Sequence, residues 1–116
     1  MLIRWFKGRS GPSTPETRSA DAATAYRDGT IRIVEVRETN EWAAGHVPGA
    51  IHIPLGELAS RSNEVERDKP VVVVCRSGRR SLAGATTLLR AGFGEASSLS
   101  GGMVAWARGG HPVEQA

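Results

Sequence analysis

The apolar positions of this chain fall into short runs separated by polar or helically spaced segments. The clearest run is residues 71–74, four consecutive valines that lead directly into Cys75. An unbroken β-branched run of this length is typical of a strand buried on both faces, as in a parallel sheet. After a loop rich in arginine, glycine and serine, residues 81–90 carry apolar side chains at helical spacing, and Gly92 follows as a stop signal. The pattern predicts a strand, a loop and a helix, with the thiol at the strand's carboxyl end.

The rest of the chain repeats this alternation of strands and helices. We expect Ser19 to cap the first helix, and Thr39 or Asn40 to cap the second. The predicted strands are residues 31–36, 50–53, 71–74 and 96–99, and the predicted helices are residues 19–27, 39–44, 55–62 and 81–90, with a last helix opening at 100–102. Strands that alternate with helices favour an α/β fold with a parallel sheet and right-handed crossovers.

At 116 residues the chain is long enough for one domain and too short for two. We assign residues 19–116 to that domain and residues 1–18 to an N-terminal segment whose later part, residues 9–17, has the glycine, serine and proline content of a linker. The first eight residues lack a leader's apolar core, and we expect Leu2, Trp5 and Phe6 to pack onto the domain. The sequence contains no apolar stretch of transmembrane length.

Charge and cysteine content narrow the functional classes. The 15 basic and 12 acidic residues leave a net charge of +3, and the arginines are spread without a basic run interleaved with aromatics. We therefore expect no nucleic-acid partner. A single cysteine excludes an internal disulfide and fits a reducing compartment, so a cytoplasmic location is expected. The three histidines have no partners at ligand spacing, and we assign no metal site and no cofactor.

Cys75 is the candidate nucleophile. A cysteine with the ordinary pKa of about 8.5 is only a few per cent thiolate at neutral pH, so a reactive site must lower that value. Backbone N–H groups of residues 76–81, curling around the sulfur before the helix, would do so, and three arginines add positive charge. A lone cysteine at a strand end is otherwise a small buried hydrophobe. The predicted site comprises Cys75 as nucleophile and Arg76, Ser77, Gly78, Arg79, Arg80 and Ser81 as the substrate-binding loop.

The loop length separates two kinds of thiol chemistry. Thiol phosphatases space the nucleophile and a phosphate-gripping arginine as Cys-x5-Arg. In this chain the position six residues after Cys75 is Ser81, and Arg80 falls one residue too early. The loop is therefore one residue shorter than a phosphate cradle, which disfavours a phosphatase or an arsenate reductase on the same fold.

Three motifs, in order along the chain, resemble those of one known family. They are the loop CRSGRRS at 75–81, the stretch EVRE followed by EWAAGHVPGAIHIP at 35–38 and 41–54, and the pair GGMVAW and GHPV at 101–106 and 110–113. Together they resemble rhodanese-type sulfurtransferases over residues 19 to 114. The resemblance implies an open parallel sheet of about five strands with helices on both faces, and a cysteine that carries a persulfide.

The resemblance also implies a function. We expect a sulfurtransferase that moves sulfane sulfur from a small anionic donor such as thiosulfate to a thiol, cyanide or protein acceptor through a Cys75 persulfide, acting as a monomer or weak dimer. The alternative is a non-enzymatic persulfide carrier or redox-sensing module that docks to a protein partner. The family usually has aspartate at Glu35 and often tryptophan at Met103, and its histidine equivalent to His46 is structural. Glu35 and Arg37 are either supports of the catalytic loop or a surface ion pair.

Overall fold

The valine run forms the central strand of a five-stranded sheet. The computed structural model describes residues 14–116 of the chain. The strand order is β1-β5-β4-β2-β3, and all four pairings are parallel. The strands are β1 (Glu16–Thr17), β2 (Arg32–Glu35), β3 (Ile51–His52), β4 (Val71–Val74) and β5 (Ala96–Leu99). The helices are α1 (Ser19–Arg27), α2 (Thr39–Ala44), α3 (Leu55–Arg61), α4 (Arg80–Arg90) and α5 (Gly102–Arg108), with a 3-10 turn at Ser62–Glu64.

Both faces of the sheet are covered, as the valine run predicts. Val71 and Val73 belong to a core on the side of α3 and α4, whereas Val72 and Val74 belong to a second core that contains residues of α1 and α5. All four valines are fully buried. Because burying one such side chain contributes roughly 1.5–3 kcal/mol, β4 is anchored from both sides. The expected α/β class, the parallel sheet and the helices on both faces are confirmed.

The sequence pattern missed the first strand. The composition predicts a linker through residue 17, but residues 16 and 17 form β1 at the edge of the sheet. Backbone N–H groups of Ser98 and Ser100 donate to the carbonyls of Pro15 and Thr17, both at 2.9 Å. A strand of two residues is too short to show alternation, so its pairing depends on β5 rather than on its own pattern. The expected packing of Leu2, Trp5 and Phe6 concerns residues outside the described range.

Two predicted helix caps are wrong. Arg18 precedes α1 and Ser19 is its first helical residue, without a side-chain cap. Helix α2 begins after Glu38, whose carboxylate accepts from the backbone of the third helical residue while Glu41 accepts from the Glu38 N–H at 2.9 Å. This is a capping box in which glutamate takes the place of the usual serine or threonine. The general preference for serine, threonine or asparagine at the cap therefore selected the wrong residue, the neighbouring Thr39.

Glu35 and Arg37 form a buried ion pair, so the surface alternative is wrong. Glu35 is fully buried and the Arg37 side chain is 7% exposed, with Nε donating to Oε1 of Glu35 at 2.7 Å. The second Glu35 oxygen accepts the Val47 N–H at 2.7 Å, and Arg37 donates to the carbonyls of Glu41 and Gly45 at 3.2 and 2.6 Å. The pair therefore ties the end of β2 to α2 and the turn that follows it.

The histidines of this region have structural contacts. Nδ1 of His46 lies 2.8 Å from the Trp42 carbonyl, and Nε2 of His52 lies 2.7 Å from the Arg37 carbonyl. Both rings stack against Trp42, at centroid distances of 3.6 Å for His46 and 4.8 Å for His52. Within residues 14–116 no group of three potential metal ligands comes together, and no helix is long and apolar enough to cross a membrane.

Replacing Glu35 with alanine should leave Arg37 as an uncompensated buried charge. We expect Glu35→Ala to lower the free energy of unfolding by about 3 to 5 kcal/mol, measured by urea denaturation. The matched control is Glu66→Ala, which removes a 70% exposed partner of Arg32 and should cost at most about 1 kcal/mol. Equal losses in the two variants would contradict the buried ion pair as a fixed point of the fold.

Candidate active site

Cys75 lies immediately beyond the carboxyl end of β4, where the chain leaves the sheet to enter α4. Residues 76–79 form the connecting loop, and α4 begins at Arg80, one residue earlier than predicted. Only 1% of Cys75 is exposed, and it packs with the core beneath α3 and α4. The sulfur therefore lies under the loop, at the sheet edge where ligands of open α/β folds collect.

The loop directs hydrogen-bond donors at the sulfur. The Gly78 N–H donates to Sγ at 3.1 Å, and the Ser81 hydroxyl lies 3.3 Å from Sγ. Burial raises the pKa of the Cys75 thiol, but hydrogen bonds from the Ser81 hydroxyl and from the backbone N–H groups of Ser81, Gly78 and Ser77 lower it by more, so the net pKa lies below the ordinary value. Three of the six predicted loop residues, Ser77, Gly78 and Ser81, thus converge on Sγ and favour its thiolate form.

The start of α5 holds the loop from behind. Its Met103 and Val104 N–H groups donate to the carbonyls of Cys75 and Arg76 at 2.8 and 3.1 Å. Gly102 has a positive φ of 54°, and a Cβ there would collide with the Cys75 carbonyl oxygen and lie 2.6 Å from that of Arg76. The second glycine of the Gly101-Gly102 pair is therefore required for this close approach as well as for the turn into the helix.

The three arginines of the loop are not equivalent. Arg76 and Arg79 are exposed, and neither forms an ion pair within residues 14–116. Arg80 is bound by both oxygens of Glu41, at 2.7 and 2.9 Å. This hydrogen bond to Arg80 is the main reason that the pKa of Glu41 falls to about 2. The charge of Arg80 is thus already partnered, and the loop presents two unpaired cations.

Sequence reasoning missed two residues of this site. Glu41 lies on α2, 39 positions along the chain from its partner Arg80. Nothing in the residues around Glu41 indicates that its carboxylate binds an arginine of the loop. Ser98 is fully buried in β5, with its hydroxyl 2.6 Å from that of Ser81. A polar pair in the middle of an otherwise apolar strand, Ser97-Ser98, was the signal for the second residue.

A groove of about 370 Å³ opens beside the loop, between α2 and α5. Arg76 and Glu41 form its polar edge, and residues of α5, the buried Met103 and the exposed Val104 among them, form its apolar wall. Cys75 is not among the residues that line this groove, although its neighbour Arg76 is.

Comparison with known proteins places this geometry in a family. A profile of the rhodanese-like domain matches residues 19–109. The chain belongs to the rhodanese-like domain family. The resemblance carried by the three sequence motifs is therefore confirmed.

Relatives with this domain are connected by name with sulfur transfer. The chain is 39% identical over 113 residues to the "Putative sulfur carrier protein YrkF" of Bacillus subtilis, covering 90% of this chain and 61% of YrkF. It is 37% identical over 83 residues to a sulfurtransferase of Allochromatium vinosum, covering 72% of this chain and 78% of that protein. A crystal structure of a rhodanese-related protein from Thermoplasma volcanium superposes with a TM-score of 0.78 at 30% identity, covering 85% and 96% of the two chains.

Adding a side chain at Gly102 should displace the rhodanese-like loop. We expect Gly102→Ala to lower the free energy of unfolding by about 1 to 3 kcal/mol, because alanine is strained at this φ and meets the loop carbonyls. As the Gly78 N–H moves away from Sγ, the pKa of Cys75 should rise, measured from the ultraviolet absorbance of the thiolate.

The control for this prediction is Gly94→Ala. A Cβ at Gly94 meets nothing within 4 Å, and its φ is not positive, so a change within about 0.5 kcal/mol is expected. If Gly102→Ala matches Gly94→Ala in both stability and thiol titration, α5 does not fix the loop as described.

Proposed function

We propose that this chain is a sulfurtransferase in which Cys75 accepts sulfane sulfur from a small anionic donor such as thiosulfate and passes it on from a persulfide. The observation that carries the proposal is the focus of the Gly78 N–H and the Ser81 hydroxyl on Sγ, at 3.1 and 3.3 Å. Donors in this arrangement stabilise a negative charge on sulfur, which is the charge of both the attacking thiolate and the resulting persulfide. Membership of the rhodanese-like domain family supports the same chemistry.

The first step is a displacement at sulfur. The Cys75 thiolate attacks the outer sulfur of thiosulfate, a new S–S bond forms, and the old S–S bond breaks with its electron pair leaving on sulfite. The cysteine then carries one extra sulfur as the persulfide anion, and total charge is conserved. Arg76 and Arg79 supply the unpaired positive charge that attracts the dianion, since Arg80 is held by Glu41.

The second step discharges the persulfide. An acceptor thiolate or cyanide attacks the outer sulfur, and the electron pair of the S–S bond returns to Cys75 as thiolate. The two steps share one covalent intermediate, so ping-pong kinetics are expected. A phosphatase reaction is not proposed, because the position that would carry the phosphate-binding arginine is Ser81, which is hydrogen-bonded to the sulfur instead.

A non-enzymatic persulfide carrier or redox-sensing module is the second candidate. The relative YrkF bears the name "Putative sulfur carrier protein", which favours this candidate, and this chain spans about 61% of the length of YrkF. A carrier would receive sulfur from a protein and need not turn over a free donor. Saturable turnover of free thiosulfate with cyanide supports the enzyme, whereas sulfur uptake only from a protein persulfide supports the carrier.

Substituting the nucleophile should abolish sulfur uptake. We expect the wild-type chain to gain the mass of one sulfur atom on incubation with thiosulfate, and Cys75→Ser to gain none, measured by intact mass spectrometry. The added mass should disappear from the wild type on treatment with cyanide. Because Cys75 is the chain's only cysteine, any sulfur gained by Cys75→Ser, or any turnover by it, would contradict the proposal.

The pH dependence of sulfur uptake should follow the thiol. Since the pKa of Cys75 is lowered, the thiolate persists to lower pH than in an ordinary cysteine. The uptake rate should therefore rise with pH, level off above the pKa of Cys75, and reach half its maximum at a lower pH than for an ordinary cysteine. Free cysteine measured in parallel is the reference, and a midpoint equal to or above its own would be inconsistent with the donor cluster around Sγ.

A further inference from the structure

A chain of buried hydroxyl groups runs from the sulfur into the sheet. The Ser81 hydroxyl lies 3.3 Å from Sγ of Cys75 and 2.6 Å from the hydroxyl of Ser98. The Ser98 hydroxyl also lies 3.4 Å from the carbonyl oxygen of Gly78. Ser81 and Ser98 are both fully buried. Ser98 therefore contacts both residues whose donors lie nearest the sulfur.

Donor counting fixes what each hydroxyl does when the sulfur is charged. A thiolate only accepts hydrogen bonds, and each serine has one hydrogen to donate. If Ser81 donates to Sγ, the 2.6 Å contact to Ser98 requires that Ser98 donate to Ser81. If Ser98 instead donates to the Gly78 carbonyl, Ser81 must donate to Ser98, and the sulfur loses its hydroxyl donor.

The charge on sulfur selects between these two arrangements. Hydrogen bonds to an ionised acceptor are roughly twice as strong as neutral ones, so the thiolate favours the chain that runs from Ser98 to Ser81 to Sγ. The neutral thiol favours the reverse, from S–H to Ser81, to Ser98 and to the Gly78 carbonyl. In the thiolate state Ser81 then donates to Sγ and accepts from Ser98, and an apolar residue at position 98 would remove the second of these two hydrogen bonds.

We propose that Ser98 is a positioning residue for the Cys75 nucleophile, and that its hydroxyl turns the Ser81 hydroxyl toward the charged sulfur. The description of Cys75 as nucleophile rests on the proposed function. Ser98 itself touches no substrate and acts through Ser81 and Gly78. It extends the site across β5, beyond the loop that the family motif covers.

The charged groups near the thiol do not belong to the row of hydroxyl groups formed by Ser81 and Ser98. Arg76 and Arg79 lie on the loop, Arg80 begins α4, and Glu41 of α2 binds Arg80. From β5 and the start of α5 the neighbours are uncharged: Ser98 and the backbone N–H groups of Met103 and Val104. Removing the Ser98 hydroxyl therefore changes hydrogen bonding at the sulfur without removing a charge.

The test is a thiolate titration of the full 116-residue chain, without any sulfur donor. The ultraviolet absorbance of the thiolate is followed with pH, and the Cys75→Ser chain is subtracted to remove the absorbance of the single tyrosine. We expect Ser98→Ala to reduce the thiolate fraction about two- to fivefold at any pH below the midpoint, which moves the titration to higher pH. Sulfur uptake at those pH values should fall by the same factor.

Ser97→Ala is the matched control. Ser97 is also fully buried in β5, and its hydroxyl makes a bond of the same 2.6 Å length, but to Thr17 and not to the site. The two alanine variants should lose similar stability in urea, while Ser97→Ala should titrate as the wild type does. Ser98→Thr, which keeps the hydroxyl, should also titrate as the wild type.

The outcomes separate the two proposals. If Ser98→Ala titrates with the wild type or with Ser97→Ala, or if Ser98→Ala and Ser98→Thr are shifted equally, Ser98 has no positioning role. If the titration shifts as expected but the wild-type chain takes up no sulfur, Ser98 still orients the thiolate and it is the proposed sulfur transfer that fails.

Discussion

Burial of β4 on both faces is the constraint on which the site depends. Its four valines are fully buried between two cores, and it pairs with β2 on one side and β5 on the other. A strand held in this way cannot shift along its axis without opening both cores. Cys75 is the next residue, so its position is fixed by the strand. The loop then has only residues 76–79 in which to turn back over the sulfur and enter α4, and this shortness brings its N–H groups onto one atom.

Burial and hydrogen bonding act in opposite directions on that sulfur. Placing a thiol where 1% of the residue is exposed disfavours its charged form, and only a set of aimed donors reverses the effect. The donors are in turn fixed by groups outside the loop: Gly102 and the α5 backbone from behind, Ser98 from the sheet, and the Arg80–Glu41 pair from α2. The lowered pKa of the thiol therefore depends on contacts from several elements that meet at one sheet edge.

Local patterns predicted most of the fold and the centre of the site. Three signals each lie within a short stretch of consecutive residues: the valine run, the helical spacing after it and the motif around Cys75. The sheet, four of its five strands and the loop could therefore be predicted from the sequence. Strand β1 did not, because two residues carry no periodicity and the pairing comes from β5. Glu41 and Ser98 were missed for a related reason, since their partners lie 39 and 17 positions away and only the fold joins them.

Cys75 is the only cysteine of the chain, and this limits how a persulfide formed on it could be discharged. Enzymes that carry an oxidised sulfur often free it by attack from a second cysteine of the same polypeptide. These 116 residues contain no other thiol, so a persulfide formed at Cys75, as proposed, has no internal resolving group. The nucleophile that removes the outer sulfur would therefore have to come from another molecule. The destination of the sulfur would then be decided by which acceptor reaches Cys75, and not by a second site on the same chain.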